Sequence, residues 1–360
     1  MREMQKFSIW QFLLPVILSA LLVVGGFSCN LIGPHHLSGP DTTSSNFTWT
    51  IDTIGAEGSY LYDVSIVNDS LAYAVGELFP QDSTGGSNQS DLYNAAVWNG
   101  KTWTMTKVPY YYQGQPIYNP IHAVFALGSN DVWFAGNGVE HWDGHQYSNV
   151  DAVNSYGYGH LWQKIWGGAD NNLYIVNDGG TVVHYDGIWH EIQTGTTLPF
   201  QDIWGDGGQV LAVASDKFGL GGQYIVQLDG NTAVHLTDTI SAHESLSGIW
   251  FQRDRKYFVV GSGIYERDSL PGSGPWNGPF LPIDWYSYAV RGQATNDVIA
   301  AGEAGSLSHF NGKRWTGFLA LVNTTDRLAS VAFKDNLVIA VGGRFEDPLH
   351  DYAVIYMGRR

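Results

Sequence analysis

A chain of 360 residues with 44 Gly, 14 Trp and 20 Tyr but only 14% charged residues lacks the Ala, Leu, Glu and Lys excess of a helical protein and reads as all-β with many tight turns. Its net charge of −16, with 18 Lys and Arg that do not cluster, repels phosphate backbones and anionic membrane surfaces and so argues against a nucleic-acid partner. The length suits two domains or one large repeat domain.

In chain order, residues 1–28 read as a signal peptide. Arg2 and Lys6 give a positive start, Phe12 to Val24 is almost wholly apolar, and Gly25, Gly26 and Ser28 are small. The single cysteine, Cys29, stands where that run ends, a position that resembles the lipobox of bacterial lipoproteins, in which the cysteine is lipidated. Gly26 replaces the usual Leu and Phe27 is bulky, so an uncleaved membrane anchor or ordinary secretory cleavage are the alternatives. The expectation is an exported protein, lipid-anchored to the outer membrane or cell surface of a bacterial envelope. Residues 29–46 then form the lipidated Cys29 and a Gly-, Pro- and Ser-rich tether, with a reach on the order of 20 Å. No cysteine is left for disulfides, and the domain at 47–360 must rest on its core.

Within 47–360 one unit recurs. Leu161 to Ile192 reads as four short strands separated by Gly-Gly, Asp-Asn-Asn, Asp-Gly-Gly and Asp-Gly turns, which supply the positive φ that tight hairpins need. Its first-strand Ile165 has counterparts at Val64, Val124, Ile203, Ile249, Val290 and Val331, with steps between 38 and 60 residues. Four strands at a period near 40 to 50 mark a β-propeller. Fourth strands carry Trp103, Tyr147, Trp189, Trp315 and, less clearly, Trp276. The seventh unit ends at Arg360 without one, and Phe47-Thr-Trp-Thr-Ile51 has the pattern of the missing strand. Pairing the two ends would close a seven-bladed ring and cover open edges. Six or eight blades are the rival counts, should the long first or irregular fifth unit be misread.

The Asn-Asp turn before strand two, the Val-Gly after it and the Asp/Asn-Gly followed by Trp between strands three and four resemble the bacterial BNR or Asp-box-like propellers, including the photosystem II assembly factor-like repeats, and more distantly WD40/YVTN-like blades. The resemblance covers residues 47 to 358 and implies a fold rather than a task. The Gly-His partner of WD40 blades, regular kelch Gly doublets and the full sialidase Asp-box are missing.

Chemistry-bearing residues mostly follow the repeat. His141, His184 and His309 share one repeat position and so spread around a ring, which makes them packing residues rather than a metal cluster, and no metal or cofactor is expected. Trp166, Trp204 and Trp250 recur at blade period and read as core between sheets. Arg291 takes the place of those tryptophans in its blade. Asp63 and Asp202 share another first-strand position, where other blades carry Ala, Gly, Ser or Lys164, and with Arg291 are candidate central-pocket charges. They support an alternative reading as a glycoside hydrolase or lyase, which needs two suitably spaced acids. The non-repeating aromatics are the binding candidates: Tyr110, Tyr111, Tyr112 and Tyr118, then Tyr156, Tyr158 and His160, then Trp285 and Tyr286, all in connections from a fourth strand to the next first strand. Those connections and the strand-two to strand-three loops share one face, where tyrosine-rich loops make a common kind of binding surface. The expected function is a non-catalytic, monomeric envelope propeller that binds a protein or glycan through that face, with an assembly or scaffold factor as a further alternative.

Overall fold

The structure, a computed structural model, describes residues 42–156, 159–169, 171–216, 222–236, 240, 245–270, 275–347 and 350–360. The signal peptide, Cys29, most of the tether and Tyr158 lie outside these residues.

Seven four-stranded antiparallel sheets form the domain, which settles the blade count. Numbered in chain order, their inner strands are Tyr60–Asn68, Ile121–Gly128, Trp162–Ala169, Phe200–Asp206, Leu246–Gln252, Ser287–Ala294 and Asp326–Lys334. Each inner strand neighbours the next, and the seventh neighbours the first, so the ring is closed. In blade 7 the outermost strand comes from the other end of the domain: Thr48–Ile54 pairs antiparallel with His350–Arg359, from Thr48 opposite Arg359 to Ile54 opposite Ala353. This gives the last sheet its fourth strand and leaves no long unpaired edge on His350–Arg359.

The repeating aliphatics occupy the expected place. Val64, Val124, Ile165, Ile203, Ile249, Val290 and Val331 all lie on inner strands and are buried. Hydrophobic clusters fill each of the seven gaps between neighbouring blades, as between blades 1 and 2, where Val75 and Ala95 meet Val124 and Phe134. In blades 2 to 5 the repeating aliphatic is followed by an aromatic, Phe125, Trp166, Trp204 or Trp250, that crosses into the next blade. Trp166 lies over Gly205 so closely that a Cβ there would fall 2.4 Å from the indole, and Trp250 covers Gly292 in the same way. Fourth strands begin at Trp103, Tyr147, Trp189 and Trp315. In blade 5 the strand is Asn277–Phe280, so Trp276 precedes it and packs against the core beneath.

Candidate ligand funnel

Every inner strand carries the same irregularity near its start. In blade 1, Leu61 and Asp63 oppose the consecutive residues Gly76 and Val75, which leaves Tyr62 as an extra residue in a β-bulge. The same slip singles out His122, Gln163, Gln201, Ser247, Tyr288 and Ala329 in blades 2 to 7. A bulge re-aims a side chain out of the ladder. Here all seven residues line one cavity of about 790 Å3, together with Tyr60, Ser245, Tyr286 and Arg327 from two positions earlier in their strands. The backbone geometry is sevenfold, but the side chains on it differ from blade to blade. The cavity opens at the end where the inner strands start, the face that bears the longer loops.

Below the bulges the channel is shut by two buried ionic clamps. Asp63 accepts from Lys164 Nζ at 2.5 Å, Ser330 Oγ at 2.6 Å and the backbone N–H of Val124 at 3.1 Å. Asp202 accepts from Arg291 Nη1 and Nη2 at 2.7 Å each and from the N–H of Ile249 at 2.9 Å. The first clamp joins blades 7, 1, 2 and 3, and the second joins blades 4, 5 and 6. Arg291 also lies over the Trp204 ring at 5.2 Å. Burial works against its charge, but Asp202 outweighs burial and raises its pKa. Lys164 and Arg291 line both the funnel and a recess of about 240 Å3 beyond the clamps. Asp63, Asp202 and Arg291 are thus brought to the channel axis as ring-locking groups, with both carboxylates occupied by cations and backbone donors.

One half of the funnel wall is aromatic. His122 stacks on Tyr62 with centroids 4.3 Å apart, Tyr62 meets Tyr60 at 4.9 Å, and Tyr60 meets Phe345 at 6.0 Å. Arg327 bridges Phe345 and Tyr288 at 5.7 and 5.4 Å, and Tyr288 meets Tyr286 at 5.0 Å. Two copies of one device anchor this arc: Tyr62 donates to Glu77 at 3.0 Å, and Tyr288 donates to Glu303 at 2.7 Å. Burial first, and the Tyr62–Glu77 and Tyr288–Glu303 contacts second, push both phenols well above the usual tyrosine range. Burial likewise raises Tyr60 to about 12. The His122 imidazole is pushed down to about 4 by burial, with Asp178 opposing and Lys164 adding, so it is neutral at physiological pH. The opposite half of the wall carries Gln163, Gln201, Ser245 and Ser247.

Of the aromatics singled out from sequence that lie among the described residues, only Tyr286 lines the funnel, with exposed Trp285 beside it. Tyr110–Tyr112 forms a hairpin with Gln115–Ile117, and Asn149 at the end of the outer strand of blade 2 binds the Tyr111 backbone, so the hairpin stands at the outer rim. Tyr118 covers Lys107 just beyond the outer strand of blade 1. Tyr156 packs on the core between blades 2 and 3, and His160 lies 3.0 Å from Asp178. Tyr60, Tyr62, His122 and Tyr288 were not marked by the loop reading. For the three tyrosines the signal is a duplication, Tyr60-Leu-Tyr62 with Gly76-Glu77 and Tyr286-Ser-Tyr288 with Gly302-Glu303.

A second constellation has the spacing of a hydrolytic relay: Ser45 Oγ lies 2.7 Å from His309 Nδ1, and His309 Nε2 lies 2.8 Å from Asp297 Oδ1. It is structural. His309 is fully buried, and Asp297 is also bound by Arg360 and Gln293. The equivalent His141 and His184 make the same contact with Asp131 at 2.8 Å and Asn172 at 3.1 Å, and an Asn has no carboxylate to offer a relay. Each ring stacks on a neighbour, His141 on Trp133 and His184 on Tyr174.

No protein-family model matches the chain, and no curated protein does. Among solved structures, "YCF48 bound to D1 peptide" is similar over 89% of this chain and 99% of its own, with a TM-score of 0.62 and 15% identity. The WD40 β-propeller domain of Doa1 matches over 87% and 97%, with a TM-score of 0.58 and 13% identity. YCF48 from Cyanidioschyzon merolae matches over 86% and 98%, with a TM-score of 0.58 and 13% identity. At such identities the likeness is one of architecture: the chain is a seven-bladed β-propeller similar in fold to YCF48 and to WD40 domains.

Proposed function

We propose that this chain is a non-catalytic binding propeller that receives its ligand, a protein segment or a glycan, in the bulge-lined funnel. The observation that carries this reading is the ring of seven bulges: one repeated backbone distortion delivers seven different side chains to one concave site, which is how a rigid scaffold makes a specific pocket. The glycosidase alternative draws no support from Asp63 and Asp202, because each is committed to a cation and a backbone donor. An assembly-type role stays open through the structural neighbour that holds a D1 peptide.

The proposal extends to an exported, lipid-anchored protein with Cys29 as its lipidated residue. Support comes from the apolar run before Cys29. Thr43 hydrogen-bonds to Asn296 and Asn311, and Ser44 accepts from Arg360. Asn296 and Asn311 sit in the turns after the first and third strands of blade 6, on the face opposite the funnel.

Capture on combined peptide and glycan arrays tests the site. Ala329 is the smallest bulge residue, so Ala329→Trp fills the funnel without removing a side-chain hydrogen bond. Loss of capture by this variant is expected; undiminished capture overturns the reading.

A further inference from the structure

The chemistry of the funnel narrows its ligand. Each charged side chain that lines it is already answered: Lys164 by Asp63, Arg291 by Asp202 and Arg327 by Glu303. Among the described residues, the polar groups without a side-chain hydrogen bond here are neutral: the His122 imidazole, the Tyr60 hydroxyl and the Gln163 amide. Gln201 spends its NH2 on the carbonyl of Ser215 at 2.8 Å, which leaves its side-chain oxygen available. These acceptors and donors lie in blades 1 to 4, beside the aromatic arc that runs through blades 2, 1, 7 and 6. A ligand that fits both halves has a flat C–H face for the rings and a rim of uncharged hydroxyls for the amides and imidazole. A pyranose has that construction. An anionic ligand would find no unpaired cation, and a cationic one would have to break the Arg327–Glu303 pair to reach a carboxylate.

We propose that the funnel binds the end of a neutral oligosaccharide, its ring face on Tyr62 and Tyr288 and its hydroxyls on His122, Gln163 and Gln201. This rests on the funnel being the binding site. Wet, uncharged contacts of this kind give binding that is insensitive to salt.

Saturation-transfer difference NMR and calorimetry on the full domain test it, with cello-, malto-, xylo- and chitohexaose as neutral probes. Hexagalacturonate and a peptide library serve as the charged and proteinaceous comparisons. The expected result is binding of at least one neutral hexaose, weakened about tenfold by both Tyr62→Ala and Gln163→Ala and changed less than twofold between 50 and 500 mM NaCl. Circular dichroism and the unfolding midpoint confirm that each variant is folded. If no neutral hexaose binds, the inference is overturned. If instead hexagalacturonate or a peptide binds and Ala329→Trp abolishes it, the saccharide inference falls while the funnel stands. A hexaose that binds Ala329→Trp undiminished overturns both.

Discussion

Replacing Arg291 with Met tests whether the charges at the channel axis lock the ring or serve chemistry. Asp202 is 2% exposed and takes two of its three hydrogen bonds from the guanidinium, so removing Arg291 leaves a buried carboxylate with only the Ile249 N–H. Breaking one side of such a pair costs about 3–5 kcal/mol, because the stranded charge keeps its desolvation penalty. Met retains some contact with the Trp204 ring that Arg291 covers, so packing loss stays small beside the charge term. Adding Asp202→Asn removes the stranded charge, and the double variant that combines Arg291→Met with Asp202→Asn should recover most of the loss. Urea unfolding followed by tryptophan fluorescence and by circular dichroism gives the energies, and coincidence of the two transitions establishes that a single free energy applies. Arg291→Met within about 1 kcal/mol of the parent, or a double variant no more stable than the single, would refute the clamp.

Three further outcomes follow from the same geometry. Gly205→Ala places a methyl 2.4 Å from Trp166 and should cost about 1–3 kcal/mol in urea unfolding, while Gly128→Ala, with open space around it, should be neutral; equal effects contradict the interdigitated packing. Burial raises Glu140 to about 8 from 4.5, so the folded state keeps a proton that the unfolded chain loses in that window, and the contribution of this group to stability falls as pH rises from about 4.5 to 8. Glu140→Gln should remove that component, so that the stability difference between variant and parent grows from pH 4.5 to 8 and reaches a few kcal/mol in favour of the variant; a difference that does not change with pH contradicts the assignment. The His122 ring, followed by NMR, should titrate near 4, and a midpoint near the ordinary 6.5 would place it in water rather than against Tyr62.

The scaffold was legible because its signals are local and repeated. Turn glycines, strand-four tryptophans and the aliphatics from Val64 to Val331 announce blades one at a time, and the unpaired aromatic segment at Phe47 announces the closure. The axial charges were legible as departures from the repeat, since Asp63, Asp202 and Arg291 each replace a different residue type. The funnel was not legible by that route. Tyr62, His122 and Gln163 occupy a repeating position, which invites discounting them, and what exposes them is a bulge set by pairing register between two strands rather than by any residue alone. Loop tyrosines drew notice because they break the repeat, yet Asn149 and Lys107 hold Tyr111 and Tyr118 at the outer rim.

The most direct test compares two double variants against one captured ligand. Tyr62→Ala with Tyr288→Ala removes the aromatic wall of the funnel, and Tyr111→Ala with Tyr112→Ala removes the exposed hairpin rings at the rim. With affinities measured by calorimetry, the funnel reading predicts a loss of at least about thirtyfold for the first pair, from roughly 1 kcal/mol or more per aromatic contact, and less than threefold for the second. The reverse order would move the site from the funnel to the outer loops.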